Sequence, residues 1–295
     1  MGFQQFANSL HQIIANPHVS RGRGLRRHLQ WQVRKVFDLF PFEQSLSSSR
    51  IIAAHKTCSV SALIHSQGLY DYNNMKFLQW LLQPGGTFFD IGANIGTYTL
   101  LASEQDQARV LAFEPHPATF ALLSENVHLN KRRNVRLFQA ALSHREHPVD
   151  VTNVPGSPTN HIVQEESLEG APCRGITVPC FRADQICEEL GVVPEIVKLD
   201  VEGFEFDVLC GFGGFLKSIG VLLVEMNALS DQRGPGRASI HRLLTSRGLK
   251  GPYQCVFNLR QLTPALDHNS EDHIYMSADI YGRLLQDGWT VELLP

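Results

Sequence analysis

The sequence lacks the cysteine spacing of a zinc site or a disulfide framework. Its 295 residues include six cysteines, and no two of them form a Cys-x-x-Cys pair. Cys173, Cys180 and Cys187 recur every seventh residue, across what the pattern predicts as loop, strand and helix. Such spacing supports neither metal binding nor disulfide pairing. We therefore expect a reducing, cytoplasmic environment and no bound metal.

Long apolar runs and a strong charge of one sign are also missing. No apolar run approaches the ~20 residues that cross a bilayer. The formal net charge is -3, which is not typical of a protein that binds nucleic acid as a whole. A hydrophobic fraction of 43% is enough for a buried core. These features predict a soluble globular protein without a nucleic-acid partner.

The first segment contains no acidic residue from Met1 through Phe37. Six basic residues are concentrated in its second half: Arg21, Arg23, Arg26, Arg27, Arg34 and Lys35. The pattern fits an amphipathic helix that makes peripheral contact with an anionic membrane or another polyanion, or a mitochondrial transit peptide. It also fits a solvated helix that Trp31 and Phe37 hold against the core, and we favour this third interpretation.

Glycine and proline mark a boundary after this region. Apolar residues with helical spacing precede Pro84-Gly85-Gly86, which is a strong helix stop. We predict that residues 1–84 form a helical, basic extension and that residues 85–295 form a separate domain. Between about 143 and 175 the chain is rich in Pro, Gly, Ser, Thr, Asn and His, and this composition predicts an insertion of hairpin and loop.

Two consecutive apolar runs end in carboxylates. Asp90 precedes a turn that contains Gly92, Asn94 and Gly96, and the next run ends in Glu114. The turn is not the Gly-x-Gly-x-x-Gly of dinucleotide sites, and Asp90 would repel a pyrophosphate but suit an amine. Glu114 would accept hydrogen bonds from two ribose hydroxyls. A ligand with an amino-acid end and an adenosine end is S-adenosylmethionine. Helix capping by the two carboxylates is the alternative.

The rest of the pattern alternates strands and helices and predicts an α/β fold. The predicted strands are 87–91, 109–113, 134–142, a fourth that begins at Glu195, 221–225, 253–259 and 272–278. The first five fit a parallel sheet, and the last two give it a mixed edge. At the end of the third strand we expect the backbone amide of Ala141 to contact adenine.

Charges interrupt the fourth strand. Lys198, Asp200 and Glu202 alternate at its end, where a parallel strand covered on both faces should be apolar. Alternate residues share one face of a strand, so the three side chains would point toward the cofactor crevice. A functional cluster is one interpretation. The other is a structural ion pair of Lys198 with Asp200 or with Glu225.

Three blocks resemble the signatures of the FkbM family of S-adenosylmethionine-dependent methyltransferases. They are residues 90–96, 113–115 and 198–205, and the resemblance extends from about Gly85 to Glu225. It implies a class I methyltransferase domain: a Rossmann-like, seven-stranded, mostly parallel sheet with helices on both faces. It also implies methylation of a hydroxyl oxygen on a sugar, glycan, lipid or secondary metabolite. In the block before the fourth strand, only Asp184 matches the family pattern.

Methyl transfer to a hydroxyl requires a group that takes the proton as the oxygen attacks. Asp200 is our first choice for this base, with Lys198 as its orienting partner and Glu202 as a ligand of substrate hydroxyls. His161, or Mg²⁺ held by Asp200, Glu202 and Glu225, are the alternatives.

Two other classes of function also remain open. One is a catalytically inert cofactor-binding module that acts through its basic N-terminal helix. The other is a nicotinamide-dependent oxidoreductase, and the carboxylate of Asp90 at the turn is evidence against it.

Overall fold

A nine-stranded sheet forms the centre of the computed structural model, which describes residues 18–152, 175–265 and 271–293. The helices are α1 Arg21–Val36, α2 Ser59–Gln67, α3 Tyr72–Leu81, α4 Thr97–Ser103, α5 Pro117–Leu129, α6 Ala183–Leu190, α7 Glu205–Gly211, α8 Ala228–Arg233, α9 Arg237–Ser246 and α10 Ala278–Gln286. The strands are β1 Phe42–Leu46, β2 Ser49–Ala53, β3 Gly86–Ile91, β4 Ala108–Phe113, β5 Val135–Phe138, β6 Ala141–Leu142, β7 Val149–Val151, β8 Ile176–Val178, β9 Cys180–Phe181, β10 Ile196–Leu199, β11 Val221–Glu225, β12 Lys250–Val256, β13 Gln261–Pro264, β14 Asp272–Met276 and β15 Thr290–Val291.

The strand order in the large sheet is β15-β13-β12-β14-β11-β10-β3-β4-β5. Strands β5, β4, β3, β10 and β11 pair with one another in parallel. Strand β14 is antiparallel to β11 and β12, β12 is antiparallel to β13, and β15 pairs in parallel with β13. The chain moves outward from β3 to β5 and then crosses to β10 on the other side of β3. Ligands of open α/β sheets bind at such a switch point, outside the carboxyl ends of the strands. The predicted α/β fold and its mixed edge are therefore confirmed.

The sheet has two more strands than the seven that the resemblance implies. β13 and β15 extend the mixed edge, and β15 contains only two residues, Thr290 and Val291. Strands this short carry too few residues for alternation to be visible in a sequence. The predicted strand 253–259 also ends early, because Phe257–Leu259 form a 3₁₀ turn after β12.

The predicted third strand, 134–142, is divided into two parts. β5 ends at Phe138, and β6 pairs in parallel with β9 in a separate two-stranded sheet. The Ala141 amide donates to Pro179 O at 2.9 Å, and the Ser143 amide donates to Phe181 O at 3.0 Å. After Phe138 the chain thus pairs outside the large sheet, and the sequence pattern of residues 134–142 does not reveal such a change of partner.

Both faces of the sheet are covered. Phe88 and Phe89 are successive residues of β3, both 0% exposed, and they belong to different core clusters. Successive side chains of a strand point to opposite faces, so each phenylalanine anchors one layer of helices. Burying one such side chain contributes roughly 1.5–3 kcal/mol to the free energy of folding.

The N-terminal segment combines α1 with the hairpin β1–β2 and helices α2 and α3. Trp31 of α1 is 3% exposed and lies in edge contact with Phe40 and Phe42, at ring-centroid distances of 5.1 and 5.9 Å. The predicted packing of Trp31 is therefore confirmed. The same prediction for Phe37 is wrong, because α1 ends at Val36 and leaves the Phe37 side chain 68% exposed. In the described ranges, no helix is both long and apolar enough to cross a membrane.

Candidate functional site

The tips of β3 and β10 meet at the switch point, and a glycine allows their close approach. The Asp200 amide donates to Ile91 O at 3.0 Å. Gly92 follows with φ +82°, and a Cβ at this position would lie 1.8 Å from the carbonyl oxygen of Asp200. A residue with a side chain therefore does not fit at this turn. Gly96, with φ +94°, then caps the N-terminus of α4.

Asp90 is the last charged residue of β3, and it is 1% exposed. The Thr99 hydroxyl donates to Oδ2 at 2.6 Å, whereas Oδ1 is buried and has no hydrogen-bond partner among the described residues. Burial raises the pKa of Asp90, although the nearby Lys198 opposes this shift. A buried acceptor without a donor costs about 1–3 kcal/mol. The ammonium group of a ligand would remove that cost, as the sequence predicts for this position.

Glu114 follows β4 and is 7% exposed. Its Oε2 accepts from the Asn94 amide at 3.0 Å, and its Oε1 accepts from the His116 amide at 2.9 Å. Burial raises the pKa of Glu114 to about 7, while the two amide bonds oppose the shift. Each carboxylate oxygen can accept more than one bond, so both retain capacity for ribose hydroxyls.

Asn94 shapes the turn between the two carboxylates. Its φ is +51°, in the left-handed region that asparagine tolerates better than most residues. Its side-chain Oδ1 accepts from the Ile95 amide at 2.8 Å. The turn thereby directs the Asn94 amide at Glu114 and leaves its side chain engaged locally.

The predicted role of Ala141 requires a correction. Its amide donates to Pro179 O at 2.9 Å within the β6–β9 pairing, so it is already engaged and does not offer its N–H to a ligand. The sequence placed Ala141 at the tip of a sheet strand, but the chain leaves the large sheet after Phe138.

Lys198 and Asp200 form the ion pair that the sequence suggested as one of two interpretations. Lys198 Nζ lies 2.9 Å from Asp200 Oδ2 and 4.9 Å from the ring centroid of Tyr98. Burial alone would lower the pKa of Lys198, but Asp200, Asp90 and Glu225 together raise it. Lys198 is therefore the positive centre of a cluster of carboxyl groups, and the pair lies at the switch point.

Glu202 does not share a strand face with Lys198, contrary to the predicted alternation. β10 ends at Leu199, and the chain then turns through left-handed φ values at Glu202 (+53°) and Gly203 (+104°). The Asn227 amide group donates to Glu202 Oε2 at 3.1 Å. The pKa of Glu202 is raised by burial and by the charge of Asp200. Glu202 thus belongs to the same charged region, but a turn rather than a strand places it there.

The cluster also contains Asp71, Tyr98 and Asp272, to which sequence reasoning assigned no function. The Tyr98 hydroxyl donates to Asp71 Oδ2, and burial raises the pKa of Asp71. Asp272 pairs with Glu225 in the antiparallel register of β14 and β11. Asp272 begins a predicted strand, but only the pairing register of β14 with β11 places it beside Glu225. Asp71 lies in the N-terminal segment, and no pattern in the sequence connects it to this sheet.

The metal alternative to an aspartate base finds no assembled site in the part of the chain that the structure describes. In residues 18–152, 175–265 and 271–293, no three His, Cys, Asp or Glu side chains are grouped in a way that could hold a metal ion. The suggested Mg²⁺ ligands Asp200, Glu202 and Glu225 are therefore not assembled into such a site. His161 lies outside the described residues.

We expect the thermal stability of the ligand-free protein to decrease as the pH rises, partly because of Glu225. Burial and the charge of Asp200 raise the pKa of Glu225 from its ordinary value of 4.5 to about 8. The folded chain thus retains a proton that the unfolded chain has lost, so this contribution is present in acid and is lost as the pH rises toward 8. Scanning calorimetry across this range should show a smaller decrease of Tm for Glu225→Gln. The exposed Glu125→Gln is the matched control, and identical pH dependence in all three proteins would contradict the assignment.

Comparisons with known proteins match this part of the chain to methyltransferases. A family model described as "Methyltransferase FkbM domain" matches residues 90–250. Hexuronic acid methyltransferase AglP of Haloferax volcanii is 32% identical over 147 residues, which are 49% of this chain and 57% of the relative. The 31-O-demethyl-FK506 methyltransferase FkbM of Streptomyces tacrolimicus is 44% identical over 63 residues, 21% of this chain and 24% of the relative.

The chain spans little more than half the length of the first curated relatives that it matches. For Methyltransferase 1 of Beauveria bassiana, 30% identical over 147 residues, the match covers 43% of this chain and 59% of the relative. Among solved structures, M. jannaschii TYW2 in complex with AdoMet has a TM-score of 0.42 and 15% identity, with 80% of this chain and 86% of that chain covered.

Proposed function

The chain belongs to the FkbM methyltransferase family, and on that premise we propose that it methylates a hydroxyl oxygen of a sugar, glycan, lipid or secondary metabolite. Its cofactor is S-adenosylmethionine. The observation that carries the proposal is the meeting of three strand tips, which bear Asp90, Glu114 and the Lys198–Asp200 pair. The names of two relatives mention a hexuronic acid and a 31-O-demethyl compound, and both name oxygen-bearing molecules.

The residues at the tips of β3 and β4 fit this cofactor. The buried Oδ1 of Asp90 has no donor among the described residues, and it would accept from the amine of the methionine moiety. Glu114 would accept from the ribose hydroxyls, and Gly92 keeps the space between the tips free of a side chain. A nicotinamide dinucleotide would instead place a pyrophosphate beside the carboxylate of Asp90, which opposes the oxidoreductase alternative.

S-adenosylmethionine supplies a methyl group bound to a positively charged sulfur. The protein has to hold the acceptor oxygen in line and remove its proton. Lys198 occupies Oδ2 of Asp200, so Oδ1 is the atom that would take the hydroxyl proton. Asn227 holds Oε2 of Glu202, which leaves Oε1 to accept from a second substrate hydroxyl.

Glu114→Gln should weaken the binding of S-adenosylmethionine by about 10- to 100-fold, because hydrogen bonds to a charged group contribute roughly 1.5–3 kcal/mol. Glutamine keeps the size of the side chain and removes the charge and one acceptor oxygen. Isothermal titration calorimetry measures the loss. Glu125→Gln, an exposed substitution on α5, is the matched control and should bind as the unmodified protein does. Unchanged affinity in Glu114→Gln, or tighter binding of NAD than of S-adenosylmethionine, would contradict the cofactor site.

A transfer assay with a methyl-labelled cofactor tests the reaction itself. We expect label in oxygen-linked methyl groups when a set of polyhydroxylated acceptors is supplied. Binding of the cofactor without transfer to any acceptor would favour the inert binding module that the sequence left open.

A further inference from the structure

Helix α1 carries an exposed apolar stripe on a different side from its packing contacts. The buried side consists of Gly24, His28 and Trp31. The stripe consists of Leu25, Leu29, Val33 and Val36, which are 42%, 51%, 52% and 78% exposed. Phe37 and Leu39 continue it, at 68% and 51%. Six of the ten large apolar side chains that are exposed in the described residues therefore lie in one short segment.

Positive charge borders this stripe. At 3.6 residues per turn, Arg21 lies along one edge of the stripe and Arg26 along the other, and both are exposed. Arg23 lies farther around the same side as Arg26 and is also exposed. No acidic residue occurs before Asp38. Asp38, between Phe37 and Leu39, pairs with Lys56 at 2.9 Å. The exposed face of α1 itself thus combines apolar side chains with cations and contains no anion.

We propose that this face docks on the surface of an anionic lipid bilayer. An apolar stripe between arginines is the arrangement of helices that lie in a membrane interface, with the apolar side chains among the acyl chains and the cations at the headgroups. A nucleic acid would use the arginines but would leave Leu29 and Val33 in water. A symmetric contact between two α1 helices would set arginines against arginines.

The start of α1 is connected to the charged cluster through a short series of contacts. The ring of His18 stacks on Tyr72 with centroids 3.7 Å apart. Tyr72 follows Asp71, which accepts from the hydroxyl of Tyr98, and Lys198 lies over the Tyr98 ring. These contacts link the residues just before α1 to the charged cluster. The docking itself does not depend on the proposed methyl transfer.

Sedimentation of the full chain with lipid vesicles tests the proposal. We expect binding to vesicles of phosphatidylcholine with phosphatidylglycerol, weak binding to phosphatidylcholine alone, and release at high salt. Arg23→Gln combined with Arg26→Gln should lower the partition coefficient by about fivefold for each arginine. Leu29→Gln combined with Val33→Gln should lower it by at least about tenfold. These positions are exposed, so each variant should retain the Tm of the unmodified protein.

The matched control replaces one exposed apolar and one exposed basic residue elsewhere, Val193→Gln with Lys217→Gln, and should leave vesicle binding unchanged. Absence of binding, equal binding to both kinds of vesicle, or binding that the α1 variants do not alter would overturn the proposal. So would binding to RNA that survives Leu29→Gln with Val33→Gln. A dimer in size-exclusion chromatography that these two substitutions dissociate would show that a second copy covers the face instead.

Discussion

Asparagine in place of Asp200 is expected to lower kcat by about 10²- to 10⁴-fold, the contribution of a positioned general base. Asparagine keeps the shape of the side chain and its bond to Lys198, but it cannot take a proton from the acceptor hydroxyl. The backbone of Asp200, which contacts Ile91 and Gly92, is unchanged. We therefore expect calorimetry to show the same affinity for S-adenosylmethionine while the transfer assay shows the loss.

The ion pair with Lys198 requires a control that separates stability from chemistry. Asp207 is suitable because its side chain is 30% exposed, as is that of Asp200, and it pairs with His144 at 3.0 Å away from the cluster. Both Asp200→Asn and Asp207→Asn should lower the free energy of unfolding by at most roughly 1.5–3 kcal/mol, and each should therefore lower the Tm. Only Asp200→Asn should lower kcat. If its kcat stays unchanged while its Tm falls, the Lys198–Asp200 pair is structural and the base is another group.

The sequence predicts those residues of the site that are charged and lie at the ends of strands. In β3 and β4 the apolar runs end at Asp90 and Glu114, and parallel strands place their carboxyl ends at one edge. The chain order alone therefore brings these two carboxylates together. The same reasoning placed Lys198 correctly, since it is still within β10.

The predictions that were wrong or missing concern residues whose positions depend on contacts between segments that are distant in the chain. The sequence predicts a sheet strand at Ala141, but its amide donates to Pro179 O across the insertion. The sequence predicts a strand face for Glu202, but β10 ends at Leu199 and Glu202 lies in a turn. Asp71 enters the cluster from the N-terminal segment through Tyr98. Periodicity reports which face of an element a residue occupies, and it does not report which distant element lies against that face.

Alanine in place of Gly92 is expected to have the largest effect on stability. A non-glycine residue at φ +82° costs about 1–2 kcal/mol, and the new Cβ would lie 1.8 Å from the carbonyl oxygen of Asp200. The tips of β3 and β10 would have to separate, at the expense of the bond from the Asp200 amide to Ile91 O. We expect a total loss of about 3–5 kcal/mol, and hence a decrease in Tm of roughly 5–15 °C. Binding of S-adenosylmethionine should be lost as well.

Gly248→Ala provides the control that isolates the steric part of this effect. Its φ is +91°, close to that of Gly92, and a Cβ there would meet nothing within 4 Å. It should therefore show only the conformational cost of about 1–2 kcal/mol and leave cofactor affinity unchanged. The difference between the two variants measures how closely the backbone of Asp200 approaches the glycine turn. Equal decreases in Tm would mean that the two strand tips are not held in this close contact, and the placement of Asp200 beside the cofactor turn would then lose its support.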